Sequence, residues 1–342
     1  MNTPLAHRPK LDSTTKGIAF LVVGMAIITA WDQWFIWSTK EDYNFGFLVP
    51  LFSAYVLWER WDDLKGLLSG EKSLPATRDF RWLNFSAGTI GFIFLLLFII
   101  GGATRAIFGT GVGPTLAIAG GFIGTTLSLT YLSVRGPEKF PPTLGSRWQA
   151  VGLMCFPTFV WMISGPFLYL VDNKIKGELL TNVTEIVSGL MRLAGETITV
   201  RGNTIVFANQ DAVGIADACS GIRSLSACIF VGAFLGAIFL QGGFPGSLIR
   251  RILLIVCAGF AAILINIARN AFLAFYALKN GSRSLEHDFW GMEMGSPQFS
   301  KLGNVHDFAG NASMVLAFLL LLACVPLINR LGRSTPLPSQ SP

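Results

Sequence analysis

Three side chains far apart along the chain have types that together can break and remake an acyl bond: Cys219, Arg269 and His306. Cys219 stands in Asp217-Ala218-Cys219-Ser220-Gly221-Ile222-Arg223-Ser224. If this stretch is the first turn of a helix, the i,i+4 spacing stacks the Cys219 thiol and the Arg223 guanidinium on one face. A thiol at a helix N-terminus beside a fixed positive charge is held toward its thiolate, the nucleophilic form. Unpaired backbone N–H groups of the same turn can stabilise an oxyanion. The alternative is a small buried cysteine, the reading that suits Cys155, Cys228, Cys257 and Cys324.

Arg269 lies inside an otherwise apolar run, Ile263 to Phe272, with Asn266 at i−3 on the same helical face and Asn270 at i+1. A charge there costs about 2.5–3.5 kcal/mol on insertion scales, which marks it for function. A snorkelling arginine satisfied by its polar neighbours is the competing account. A cysteine nucleophile needs a base, and the chain has three histidines. His7 is in the N-terminal tail; His287 and His306 are each followed by an aspartate, and His306 opens an apolar run. His287, Asp288, Glu293 and His306 are the residues a metal would use, but the 19-residue gap between the histidines matches no ligand motif, and no Cys-x-x-Cys supports disulfide exchange. No metal or other cofactor is expected.

These residues must be held by a chain of 342 residues that is 52% hydrophobic and 13% charged, with a mean hydropathy of +0.55. Soluble globules carry about 25% charged residues, and disordered chains are less hydrophobic still, so both classes are excluded in favour of a lipid-embedded protein. The net charge of +6 comes without a basic, aromatic-interleaved stripe, so no nucleic-acid partner is expected and the charge reads as membrane orientation.

Apolar runs near 17–37, 44–58, 83–103, 111–133, 148–171, 221–241, 252–278 and 307–328 predict an all-α polytopic fold of about eight transmembrane helices. The first is read as a retained span rather than a cleaved signal, because it continues through Asp32 and Gln33 to Trp37. With both termini cytoplasmic (tails 1–16 and 329–342 around one membrane domain, 17–328), fifteen basic residues fall inside and nine outside, while seven acids fall inside and twelve outside. The positive-inside rule selects that orientation. The long outer loop, 172–218, shows an amphipathic pattern over 175–193 that suits a helix along the membrane surface. It is followed by a β-hairpin, 197–200 and 204–207 around Arg201-Gly202-Asn203. In this topology Cys219 begins an inward run, Arg269 lies in the outer half of an outward run and His306 begins another inward run. All three reach one membrane face, the way facing helix ends assemble an active site.

Ala218-Cys219-Ser220-Gly221-Ile222-Arg223-Ser224, with Asn266-x-x-Arg269 and His306-x-x-x-Gly310, resembles the exosortase/archaeosortase family of polytopic protein-sorting transpeptidases. Asp42-Tyr43-Asn44-Phe45-Gly46-Phe47-Leu48-Val49-Pro50 is similar to that family's Tyr-Ser-His-Gly-Phe-Leu-Val-Pro segment, with Phe45 where many members have histidine. The resemblance implies an eight-helix enzyme of the inner membrane whose Cys219, Arg269 and His306 form an extracytoplasmic triad, supported by Arg223, Ser220, Gly221 and Asn266. It also implies partners: membrane-anchored substrate proteins ending in a short signature such as Pro-Glu-Pro, a transmembrane helix and a basic tip, and an acceptor nucleophile of unknown identity. Two other classes fit the residues alone, a transporter or flippase that binds an anionic substrate through Arg269 and a non-catalytic scaffold in an export assembly.

Overall fold

The computed structural model of the chain describes residues 11–77, 80–137, 140–215, 221–240, 246–293, 295–296 and 298–330. They are mostly helical, and six helices are long and apolar enough to cross a membrane: α1 (Ser13–Thr39), α4 (Arg81–Phe108), α5 (Val112–Ser133), α8 (Ile222–Phe239), α9 (Gly246–Asn280) and α10 (Val305–Arg330). The two other expected spans come out differently. The run at 44–58 divides into a 3₁₀ turn, Glu41–Leu48, and α2 (Val49–Glu59), whose 11 residues rise only about 16 Å at 1.5 Å each. The run at 148–171 breaks at Ser164-Gly165 into α6 (Leu144–Ile163), where Arg147 and Gln149 lower the hydropathy, and α7 (Pro166–Leu193). A short helix α3 (Trp61–Ser69) follows α2.

The chain divides into two compact units, the first comprising residues 1–170 with 241–248 and the second 171–240 with 249–342. In the first unit, several buried polar groups bond from one element to another. Pro157 lacks the N–H that would bond the Leu153 carbonyl, and the Arg60 guanidinium takes that carbonyl at 3.0 Å. Buried Gln33 donates to the Trp161 carbonyl at 2.9 Å and accepts from the Ser164 hydroxyl at 2.6 Å. Asp32 accepts from Arg105 Nε at 2.9 Å. α4 and α5 approach closely, because a Cβ at Gly121 would stand 2.5 Å from the Phe98 backbone nitrogen. The Asp42–Pro50 segment wraps Trp37, whose ring lies 2.1 Å from where a Gly46 Cβ would be.

In the second unit α7 leads into a three-stranded antiparallel sheet, β1 (Ile198–Arg201), β2 (Thr204–Phe207) and β3 (Ala212–Gly214), in the order β1-β2-β3. The expected hairpin is there, with Ile198 opposite Phe207 and Arg201 opposite Thr204, and β3 is an addition to it. Leu180, Val183, Val187 and Met191, spaced three and four apart, bury one face of α7 with Ile205 and Phe207 of β2, Val213, Ile215, and Ala274 and Ala277 of α9. Each such aliphatic side chain contributes about 1.5–3 kcal/mol by leaving water. The amphipathic face expected over 175–193 thus packs on protein, leaving Ile186 and Leu190 outside. This small core ties the sheet to the C-terminal half of α9, the helix that carries Arg269. α8, α9 and α10 pack together lower down through Leu235, Leu254, Ala258, Ala262 and Leu321.

Candidate active site

Arg269 sits 11 residues before the end of α9, about three turns, and His306 is the second residue of α10. Their side chains meet: Arg269 Nη2 is 3.3 Å from His306 Nε2. A guanidinium has donors and no acceptor, so this hydrogen bond requires the lone pair of Nε2 and puts the neutral ring's proton on Nδ1. Nδ1 faces the Asp307 carboxylate at 3.5 Å. The Arg269 Nε is buried and has no partner among the described residues, nor does a carboxylate pair with this guanidinium there.

Gly310 explains the close fit. It lies one turn after His306 on α10, and a Cβ built on it would stand 3.3 Å from Arg269 Nη2 and 3.5 Å from Cζ. The guanidinium therefore lies close against α10 at Gly310 while reaching His306. A second glycine fixes the neighbouring helix start. Gly221 caps α8 with φ +87°, a left-handed conformation that favours glycine, and its carbonyl accepts from Leu225 N–H at 2.8 Å. A Cβ there would also fall 2.5 Å from Asn266 Nδ2, so the amide of buried Asn266 lies directly against the entry to α8. Asn270 Nδ2 bonds back to the Asn266 carbonyl at 2.8 Å.

Cys219 and Ser220 lie outside the described residues. The expectation that Cys219 and Arg223 stack on one helical face therefore falls outside the described residues; α8 begins at Ile222, after left-handed Gly221. Arg223 is the second helical residue and is exposed.

Two aspartates organise the loops that hold these helix ends. Buried Asp288 accepts from the backbone N–H groups of Trp290 at 2.9 Å, Met292 at 2.8 Å and Ser300 at 3.0 Å. Burial pushes its carboxyl up, but these N–H groups more than offset that and hold it below the ordinary range. The adjacent His287 carbonyl accepts from Val305 N–H at 3.0 Å, and Asn304 caps α10 by accepting from Asp307 N–H at 2.7 Å. His287 is 3.8 Å from Glu293, away from the arginine. Asp211, just before β3, accepts from the Ser282 hydroxyl at 2.6 Å and its N–H at 2.7 Å, and those bonds lower its carboxyl too. Sequence reasoning missed Asp211 and weighed Asp288 only as a ligand, because each bonds to backbone that no residue pattern announces. Among the described residues no cluster of His, Cys, Asp and Glu has the makeup of a metal site.

A cavity of about 460 Å³ opens beside His306, lined among others by Gly214, Ile215, Asn270, Leu273 and Glu286. It gives the imidazole a space large enough for several residues of a peptide.

No curated protein and no solved structure shows significant similarity to this chain. The transmembrane exosortase family model (Exosortase EpsH), however, matches residues 37–323, a stretch that takes in the Asp42–Pro50 segment, Arg269, His306 and the glycines that seat them. That match covers most of the sequence, and the chain belongs to the transmembrane exosortase family.

Proposed function

We propose that the protein is a cysteine transpeptidase that cuts a C-terminal sorting signal at the extracytoplasmic face of the inner membrane and passes the shortened protein to an acceptor. Exosortases are generally cysteine transpeptidases, and the observation that carries the reading to particular residues is the 3.3 Å contact between Arg269 and His306, from two helices, with no counter-ion on the arginine among the described residues. Asn266, one turn before Arg269, touches Gly221, and Cys219 is only two residues along the chain from there, a reach of at most about 7 Å.

In the resting site Arg269 donates to the Nε2 lone pair of His306. When a peptide carbonyl enters, the guanidinium turns toward it and frees the Nε2 lone pair. Nε2 takes the Cys219 thiol proton as the sulfur bonds to the carbonyl carbon, and the electron pair moves to oxygen, where Arg269 stabilises it. The oxyanion collapses, the C–N bond breaks, and the imidazolium gives its proton to the leaving amine. The resulting thioester is attacked by the acceptor, whose proton goes to His306; the C–S bond breaks, and the imidazolium passes that proton to the departing sulfur, restoring the thiol and the neutral ring. Charge bias puts both termini in the cytoplasm and this chemistry outside.

The test is Cys219→Ser in cells carrying a tagged substrate tail. The expected result is complete loss of tail processing with normal accumulation of the enzyme in the membrane. Retained processing removes the enzyme reading. A transporter would keep its uptake in Cys219→Ser and lose it in Arg269→Gln.

A further inference from the structure

The edge of the small sheet is aimed at the same cavity as His306. β3 is the last strand in the order β1-β2-β3, and its far side has no strand beside it among the described residues. The ladder sets which backbone groups look outward. Phe207 N–H bonds the Asp211 carbonyl and Ile215 N–H bonds the Asn203 carbonyl, both at 2.8 Å, so residues 211, 213 and 215 turn their polar groups to β2. Ala212 and Gly214 therefore turn theirs away. The Ala212 N–H is taken by the Asp211 carboxylate at 2.9 Å, and the Ala212 carbonyl and both polar groups of exposed Gly214 have no partner among the described residues. Val213 and Ile215 point into the core, whereas the alternate positions carry only a methyl group and a hydrogen. All four residues line the cavity with His306.

We propose that the substrate peptide binds by strand addition: an extended segment at the cut site pairs with β3, exchanging two backbone hydrogen bonds with Gly214 and donating one to the Ala212 carbonyl. This rests on the transpeptidase reading and specifies how its peptide is held. An unpaired edge is a standing template for another extended chain, and main-chain pairing supplies affinity while side-chain pockets select sequence. A peptide seated there lies in the cavity His306 lines, and Cys219 follows Gly214 by five residues in the sequence. Arg283 and Glu286, both exposed on the cavity wall, offer charges of each sign to the side chains that flank the paired segment.

Gly214→Pro deletes the outward N–H while leaving the β2 ladder intact, a position where an edge strand accepts proline. Gly214→Ala keeps the N–H, and its Cβ would meet nothing nearer than Thr204 Oγ1 at 3.7 Å. With the purified enzyme in detergent and a short synthetic peptide spanning the cut site, Gly214→Pro should raise the KM roughly tenfold relative to Gly214→Ala, with kcat nearly the same in the two variants. As a second measurement that leaves the enzyme untouched, the same peptide methylated at one backbone nitrogen at a time should lose binding at every second position. A flat or non-alternating methylation scan, or a Gly214→Pro enzyme with unchanged KM, overturns strand addition. Either outcome leaves the transpeptidase reading standing as long as Cys219→Ser is inactive, so the two failures are distinguishable.

Discussion

Arg105 and Arg269 are both set in long apolar helices, and the molecule treats them in opposite ways. Arg105, in the first unit, meets the fully buried Asp32 carboxylate at 2.9 Å and lies over the Trp31 ring, 5.0 Å from its centroid. Its charge is cancelled, and the pair serves packing. Arg269, in the second unit, meets an imidazole instead of a carboxylate, and its Nε bonds to nothing among the described residues. A guanidinium in low dielectric without an anion is a standing attraction for one, whether a bound ligand or an oxygen that becomes negative during reaction. The comparison teaches that the cost of placing an arginine among apolar side chains does not identify function by itself. What its donors face does.

The sharpest way to break that contrast is to neutralise each arginine. Arg269→Gln should lower tail processing by about 10²–10³, the loss seen when an oxyanion donor is removed, with undiminished accumulation in the membrane. Arg105→Gln should do the reverse, because stranding the buried Asp32 carboxylate costs about 3–5 kcal/mol of stability, and quantitative blotting should find little folded protein. The contrast fails if both variants fold and lose activity equally. Adding Asp32→Asn to Arg105→Gln removes the stranded charge and should restore most of the folded protein.

A smaller effect is expected at Gly310. The methyl group of Gly310→Ala stands 3.3 Å from Arg269 Nη2, so the guanidinium must shift by a few tenths of an ångström off His306. Processing should fall about tenfold while the thermal unfolding midpoint stays put, since misplacement on that scale affects reaction geometry far more than packing. A large fall in the midpoint would assign Gly310 to packing alone.

The smallest effect is in acid. Asp288 and Asp211 have folded-state values below those of an unfolded aspartate, near 3.9, so each stabilises its loop above that pH and loses the contribution as the pH falls through the folded value. Hydrogen exchange at Trp290, Met292 and Ser300, corrected for intrinsic rates, should be protected equally from pH 5 to 8 and lose protection below about pH 4. Asp288→Asn should lose part of it at neutral pH. Protection that is flat down to pH 3 would mean the carboxylate does not hold the loop that seats α10.

Much of this arrangement is legible in residue order because membrane insertion constrains it. Apolar runs and charge bias bring positions 269 and 306 to one face, and the two side chains are in contact. Alternating Ile205 and Phe207 announce the hairpin, and the three-four spacing of Leu180, Val183, Val187 and Met191 announces the buried face of α7. β3 escapes notice because three residues, Ala-Val-Gly, are too few to show a period and pair only when β2 is in place. The break at Gly221 escapes it too, since only the Asn266 amide pressed against it and its left-handed backbone show why α8 cannot begin earlier.

The sequence alone determined that this protein spans the membrane several times and which family pattern its residues follow, because hydropathy and motif spacing are properties of the order of residues. Only the tertiary structure decided that the Arg269 guanidinium rests on an imidazole instead of a carboxylate, that two glycines make room for it and its neighbour, and that an open strand edge lines the same cavity. Those depend on distances of a few ångströms between helices, which packing sets and no one-dimensional pattern encodes.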